Sequence, residues 1–245
     1  PVGYRQFLMV YKDVKSEEEM IELFAFQPGK FIHDPILIKR MLLEDAVWLH
    51  KQLITLDVDY KAAFDRVPYF IKEMSLRRLG LPEDGIEMWC AHDQTRKQYV
   101  RTAYGLTGGV HPRCGAFGQG AEESPMGFVS LMCWKCDYIY AASSLAYLYE
   151  GHGKSIHLAK TLFCDDSSYS TATLLDARTV LERIGWFAAA TGMELNVLKT
   201  FFIAMYLSER ERKELKEKPL AIPNPEFDLA AMENSNTWKY IHPIQ

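Results

Sequence analysis

Between Ala159 and Ala172 an apolar–polar alternation runs to Phe163, meets Cys164-Asp165-Asp166-Ser167-Ser168, and resumes at Tyr169. A period of two on either side of a short polar run predicts two antiparallel strands joined by a tight turn, with adjacent carboxylates at its tip. A lone hairpin is marginal in water, so this one needs further strands and an apolar cover. The sequence offers both. Leu53–Val58 (LITLDV) reads as a buried strand, Phe201–Tyr206 as another, and Thr237–Ile241 as a short closing one. A further strand is expected over Lys97–Ala103, followed by a glycine-rich loop from Gly105 to Gly120. Helical spacing covers Asp34–Lys51 and Pro82–Thr95. Pro68 and Gly80 punctuate a helix over Val67–Leu79, and Gly192 stops one over Leu174–Thr191. Ser124 as N-cap and Pro125 as first residue open a long apolar helix to about Ala142, and Ser208–Lys218 forms a charged one. Strands and helices alternate without a regular βαβ beat, which predicts the α+β class.

With 245 residues the chain makes one large domain or two lobes. Its 48% hydrophobic and 24% charged residues exclude global disorder. Apolar runs such as Phe201–Leu207 fall far short of the ~20 residues that span a bilayer, and no membrane partner is expected. The opening shows no basic segment leading into an apolar one, so no signal peptide is read there. A start at Pro1 instead of Met leads to the expectation of a fragment or a processed chain. Five dispersed cysteines favour a reducing, intracellular setting over a disulfide framework. The net charge of −4 supplies no global attraction to nucleic acid.

The carboxylates carry the chemistry. Asp59 follows a predicted buried strand, and Asp165 and Asp166 sit at a hairpin about a hundred positions later. Carboxylates at the ends of neighbouring strands can share a divalent cation, and magnesium takes one or two of them plus waters and substrate phosphates. Taken alone, an Asp-Asp pair at a turn is turn chemistry. Asp57, two residues before Asp59 on the same strand face, is a rival ligand.

Other blocks surround these residues in a fixed order. Asp59-Tyr60-Lys61-Ala62-Ala63-Phe64-Asp65 precedes a helix, and Gln119-Gly120-Ala121-Glu122-Glu123-Ser124-Pro125 opens another. Phe163-Cys164-Asp165-Asp166 caps the hairpin, and Gly192-Met193-Glu194-Leu195-Asn196-Val197-Leu198-Lys199-Thr200 leads into a strand. Trp238-Lys239-Tyr240-Ile241 comes last, and Tyr4-Arg5 and Phe26-Gln27-Pro28-Gly29-Lys30 stand upstream. Together these resemble the ordered motifs of reverse transcriptases, especially those of non-LTR retroelements and group II intron proteins. The match runs over D-x-x-x-A-F-D, Q-G-x-x-x-S-P, [FY]-x-D-D, G-x-x-L-N-x-x-K-T, the start of the primer grip, and two fingers blocks.

The resemblance implies a right-hand polymerase palm, an antiparallel sheet backed by helices, with partial fingers over 1–51, palm over 52–245 and the thumb absent. It implies RNA-directed DNA polymerase activity of a retrotransposon type, using an RNA template, a DNA or RNA primer and deoxynucleoside triphosphates. Asp59, Asp165 and Asp166 would hold two Mg2+ ions, with Mn2+ as a substitute, and Lys199 would give a proton to pyrophosphate. Arg5 and Lys30 would meet the triphosphate. Phe64 would lie beneath the incoming sugar, and Gln119 and Gly120 against the nascent base pair. Trp238, Lys239 and Tyr240 would touch nucleic acid. The sequence departs from the family at Lys30 in place of Arg, at His242 in place of Gly, and in the paired Glu122 and Glu123 beside the nucleotide. No basic thumb follows Gln245, so activity is expected to need parts outside this stretch.

Other signals are weaker. Cys133-Trp134-Lys135-Cys136 lies within a predicted helix without a second ligand pair, so it reads as core. Arg96, Lys97, Arg101 and Arg113 either track a template backbone or form a solvated strand face. Two other readings stand beside the polymerase. One is a catalytically inactive, reverse-transcriptase-like RNA-binding scaffold, against which the three retained carboxylates count. The other is a nucleotidyl cyclase, which the Gln119–Pro125 block disfavours.

Overall fold

The computed structural model describes residues 24–25, 29–78, 80–95, 97–99, 101–106, 111–112, 116–118, 124–140, 145–151, 154–223, 238–240 and 242–243. In chain order, α1 spans His33–Leu49, β1 Leu53–Val58 and β2 Tyr60–Lys61. Helices α2 (Tyr69–Arg78), α3 (Glu83–Thr95) and α4 (Ser124–Ile139) follow, then a hairpin of β3 (Tyr147–Gly151) and β4 (Lys154–Leu158). Next come β5 (Lys160–Phe163), β6 (Asp166–Thr171) and α5 (Leu174–Thr191). The last are β7 (Glu194–Leu195), β8 (Phe201–Met205), α6 (Glu209–Glu217), β9 (Ala221–Pro223), β10 (Trp238–Tyr240) and β11 (His242–Pro243). The chain is α+β, as its sequence predicts.

A five-stranded sheet in the order β11-β8-β1-β6-β5 forms the centre. β1 is antiparallel to both neighbours, with Leu56 opposite Tyr169 on β6 and Phe202 on β8. The expected all-antiparallel sheet needs one correction, because the two-residue edge strand β11 runs parallel to β8.

The strand period of two sorts the side chains onto two faces. Ile54, Leu56, Val58, Leu162, Tyr169 and Phe202 point into the main core, against Phe128, Leu131 and Met132 of α4 and Val180, Leu181 and Ile184 of α5. On the other face Leu53 packs with Leu42 and Ala46 of α1 and with Tyr147. Burying Leu53, Ile54 and Leu56 completely stabilises the centre by roughly 1.5–3 kcal/mol each. The sheet is thus covered on both faces but ends, at the carboxyl end of β1, in polar residues.

Helix ends follow the local chemistry. Thr173 caps α5 by accepting from the Asp176 N–H, and Gly192 closes it at φ 72°. A Cβ at Gly192 would stand 3.1 Å from Pro68 Cδ, so glycine also permits the close approach of the 192–200 segment to the start of α2. Ser208 and Glu211 form a capping box at α6. Ser124 departs from expectation. It is the first residue of α4 and not the one before it, and its buried hydroxyl has no partner among the described residues. Only a cap residue with extended backbone can swing its oxygen back to the free N–H groups.

Two other segments differ from the sequence reading. The strand expected over Lys97–Ala103 is two short pieces, Lys97–Gln98 and Arg101–Thr102. The second folds back on Gly105–Leu106, because Thr102 Oγ1 accepts from the Tyr104 N–H and donates to the Gly105 carbonyl. The β3–β4 hairpin had no counterpart, although Tyr147-Leu148-Tyr149 and Gly151 carry strand and turn signals. The expected closing strand is present as β10, which pairs with β9.

Candidate active site

β1 and β6 pair down to Val58 opposite Ser167; the next residues on the two strands are Asp59 and Asp166. Side chains alternate along β6, so Asp166 and Ser168 face away from the core while Ser167 and Tyr169 face it. Asp165 occupies the turn before β6, next to Cys164, whose backbone is left-handed at φ 61°. The two-residue turn thus lifts Asp165 off the strand and leaves Asp166 as the carboxylate facing Asp59's strand.

Asp59 and Asp166 line one cavity of about 400 Å3. Asp57, Lys39, Lys199, Thr161, Ser167 and Ser168 contribute its other polar walls, and Ile32, Pro35, Ile36, Val58, Phe163 and Phe201 its apolar ones. Asp165 is not part of that lining.

The segment after α5 holds Asp59 in place. Asn196 Nδ2 donates to Asp59 Oδ2 at 2.8 Å, and Lys199 Nζ lies 4.0 Å from the same oxygen. The Asn196 N–H donates to the Asp59 carbonyl at 2.9 Å, and the Asp59 N–H reaches Thr200 Oγ1 at 3.4 Å. The G-x-x-L-N-x-x-K-T stretch is therefore a clamp on Asp59. Asn196 had no role in the sequence reading, although it stood in a quoted block.

Asp57 is engaged differently. Lys39 Nζ sits 2.5 Å from Asp57 Oδ2, and both side chains are largely shielded from water. The rival ligand is thus neutralised by a cation from α1, while both contacts to the Asp59 carboxylate fall on Oδ2. Burial raises the pKa of Asp166 above its ordinary value; Asp165, Asp59 and Asp57 raise it further, and Lys199 opposes them. The cavity thus gathers Asp57, Asp59 and Asp166 with two cations, Lys39 on Asp57 and Lys199 beside Asp59.

Phe64 lies outside the cavity lining, half-buried, with its ring stacked on Phe128 at 4.2 Å and 17°. Lys30 also stands outside it, over the Phe24 ring at 5.2 Å. Trp238, Lys239 and Tyr240 form β10, paired with β9. Arg5, Gln119 and Gly120 lie outside the described residues, as do Arg96, Arg113, Glu122 and Glu123. Cys133 and Cys136 are buried within α4, as a core reading requires.

Among the described residues no three histidine, cysteine or acidic side chains come together as a metal site. The donor set that does converge, two carboxylates of Asp59 and Asp166, is hard oxygen with an unbalanced charge. It fits magnesium, which keeps most of its shell for waters and substrate phosphates.

No protein-family model matches the chain, and no curated protein matches it in sequence. Solved structures do match in fold. The apo telomerase of Candida tropicalis, truncated from its C-terminal domain, superposes with a TM-score of 0.57 at 16% identity, over 85% of this chain and 41% of that one. The C. tropicalis telomerase with a TWJ fragment of telomeric RNA gives 0.58 at 14% identity, over 82% of this chain and 33% of that one. Candida albicans telomerase with such a fragment gives 0.56 at 14%, over 84% and 34%. The chain thus shares its fold with part of these telomerases and spans about a third to two-fifths of their length.

Proposed function

We propose that this chain is the palm, with part of the fingers, of an RNA-directed DNA polymerase of the non-LTR retroelement or group II intron type. The observation that carries this reading is the meeting of Asp59 and Asp166 at one cavity, from blocks a hundred residues apart, on adjacent central strands. The likeness to telomerases supports the same class, and two of those structures hold RNA. The substrates are an RNA template, a DNA or RNA primer and deoxynucleoside triphosphates.

Asp59 and Asp166 would hold magnesium, with Asp165 at the turn beside them. A divalent ion bound there would make the primer 3′-hydroxyl more acidic and offset the charge of the leaving pyrophosphate. Phosphoryl transfer asks for position and compensated charge more than for covalent help. The protein's part is to fix Asp59 through Asn196 and to keep Asp57 occupied by Lys39. Lys199, mostly exposed and beside Asp59, is placed to give a proton to the departing pyrophosphate. Among the described residues no helix is long and apolar enough to cross a membrane. The four cysteines among the described residues are unpaired, which supports a reducing, intracellular setting.

The test is primer extension on an RNA template with deoxynucleotides and Mg2+ or Mn2+, using the full-length protein. Extension that disappears in Asp59→Asn supports the reading. Template–primer binding without extension under either metal would replace it with a non-catalytic RNA-binding scaffold.

A further inference from the structure

Lys135 is a lysine where none is expected. It lies in the second half of α4, completely buried, and is not itself part of the cavity lining. A buried ammonium is costly unless it is hydrogen-bonded or faces compensating electron density. Lys135 has both, and its partners fall into a pattern. Its Nζ donates to Ser167 Oγ at 2.7 Å, and Ser167 Oγ in turn donates to the Asp165 carbonyl at 3.3 Å. The same Nζ stands 4.8 Å from the centroid of the Tyr60 ring and 5.9 Å from that of Tyr169. Tyr60 is the residue after Asp59, and Ser167 is the residue after Asp166. One cation therefore touches, from behind the sheet, the neighbours of both carboxylates that line the cavity in front.

We infer that Lys135 is a positioning residue, which fixes the Cys164-Asp165 turn and the ends of β1 and β6 in the relative placement that the two carboxylates need. Its catalytic consequence rests on the polymerase reading; its effect on the turn does not. The turn has reason to need support. Cys164 holds a left-handed backbone without being glycine, an uncommon conformation for a residue with a Cβ. The Lys135–Ser167–Asp165 chain ends on the carbonyl of the next residue. The rings of Tyr60 and Tyr169 are electron-rich faces that accommodate the charge, each as a cation–π contact. A plain packing role would be served as well by an apolar side chain of similar length.

The experiment compares Lys135→Met and Ser167→Ala with the parent full-length protein. Methionine matches the lysine in length, and replacing a buried charge by an apolar group is often neutral or stabilising, so Lys135→Met is expected to fold. Ser167→Ala keeps the lysine and cuts only the relay. Three readouts are taken: melting temperature, hydrogen exchange over 163–167, and primer-extension kcat and KM. Expected are an unchanged or higher melting temperature in Lys135→Met and at least tenfold faster exchange over 163–167, with β8 unaffected. In both variants kcat should fall by roughly tenfold or more, with KM for the nucleotide changed less than about threefold. The double variant should be no worse than Lys135→Met alone, because both act through one chain of contacts. Unchanged exchange over 163–167 in the two folded variants would overturn the inference, and so would unchanged kcat. If Lys135→Met fails to fold, the same readouts on Ser167→Ala decide. A parent protein without extension would remove the polymerase reading, while faster exchange in the variants would still uphold the role of Lys135 at the turn.

Discussion

At the scale of single residues, the site is a contest between carboxylates, and each one's neighbours decide its part. Asp57 faces Lys39, Asp59 faces Asn196 and Lys199, and Asp166 faces mostly other acids. The pKa of Asp166 is raised by burial first and by Asp165, Asp59 and Asp57 after it. A carboxyl raised in the folded state stabilises the fold below its unfolded pKa, and that contribution is lost as pH rises through the folded value. At pH 7 the ionised Asp166 therefore works against the fold. Asp166→Asn should leave the melting temperature at pH 7 equal or higher, and should reduce extension by two orders of magnitude or more, roughly, through loss of a metal ligand. A stable variant with normal extension would remove Asp166 from the site. Phe64 separates two roles in the same way. Its stack on Phe128 gives packing a defined partner, so Phe64→Val should cost about 1–3 kcal/mol in denaturant unfolding. The resemblance also implies a place beneath the incoming sugar, and in that role the change should raise the ribo-to-deoxynucleotide ratio of kcat/KM; an unchanged ratio would leave packing alone. Asp59 and the Asp165-Asp166 pair stand out in the sequence through the resemblance of the blocks around them to reverse-transcriptase motifs. The sequence could not disclose which of the pair faces the cavity, because that depends on where a two-residue turn ends and a strand begins. Nor could it disclose Lys39 or Lys135, whose partners lie 18 and 32 residues away and are set only by packing.

At the scale of elements, punctuation was the most legible signal. β1 and α5 run between the residues their sequence predicts, since a β-branched apolar run and a Thr173-to-Gly192 frame admit few alternatives. The segment from Arg101 to Leu106 was read as strand leading into loop, and folds on itself because of local side-chain bonds from Thr102. The clamp after α5 was visible as a motif without a purpose. Its purpose is to bond both the carbonyl and the carboxylate of Asp59, so Asn196→Ala should weaken placement of that carboxylate. Extension should fall by roughly tenfold, the worth of a hydrogen bond to a charged group, with little change in melting temperature. Equal kcat in variant and parent would show that the clamp serves folding only. α4 carries its own pH signature. Burial lowers the Lys135 pKa from 10.5 to about 8, partly offset by Cys136, Asp165 and Cys164. With the folded value below the unfolded one, the cost of the buried charge is complete below about pH 8 and fades as pH rises to 10.5. The stability gained by Lys135→Met over the parent should therefore be largest below pH 8 and shrink across that window. Denaturant unfolding of both proteins at pH 7 and pH 10 reads the difference, and a gain that grows with pH would contradict a buried, charged lysine.

At the scale of the whole molecule, one apolar cluster ties residues from Ile54 to Ile222 into a single support behind the sheet, while the polar strand ends stay open in front. A net charge of −4, with acidic groups gathered at that opening, leaves the folded state with repulsion that a divalent cation can relieve. A ligand that binds only the folded state stabilises it by RT ln(1 + [L]/Kd), about 1.4 kcal/mol at ten times Kd. For a chain of this size each kcal/mol moves the melting temperature by about 2–4 °C, so saturating Mg2+ should raise it by roughly 3–6 °C. Sodium chloride at matched ionic strength screens surface charge without coordinating, and should give a smaller rise. The combined variant Asp59→Asn with Asp166→Asn should lose the magnesium-specific part and keep the salt response. The measurement needs no template, primer or turnover, so it tests the metal site apart from the polymerase reading. An equal magnesium shift in parent and variant would place the ion elsewhere on the molecule, and no shift in the parent would leave the carboxylates without a resident cation in the absence of nucleotide phosphates.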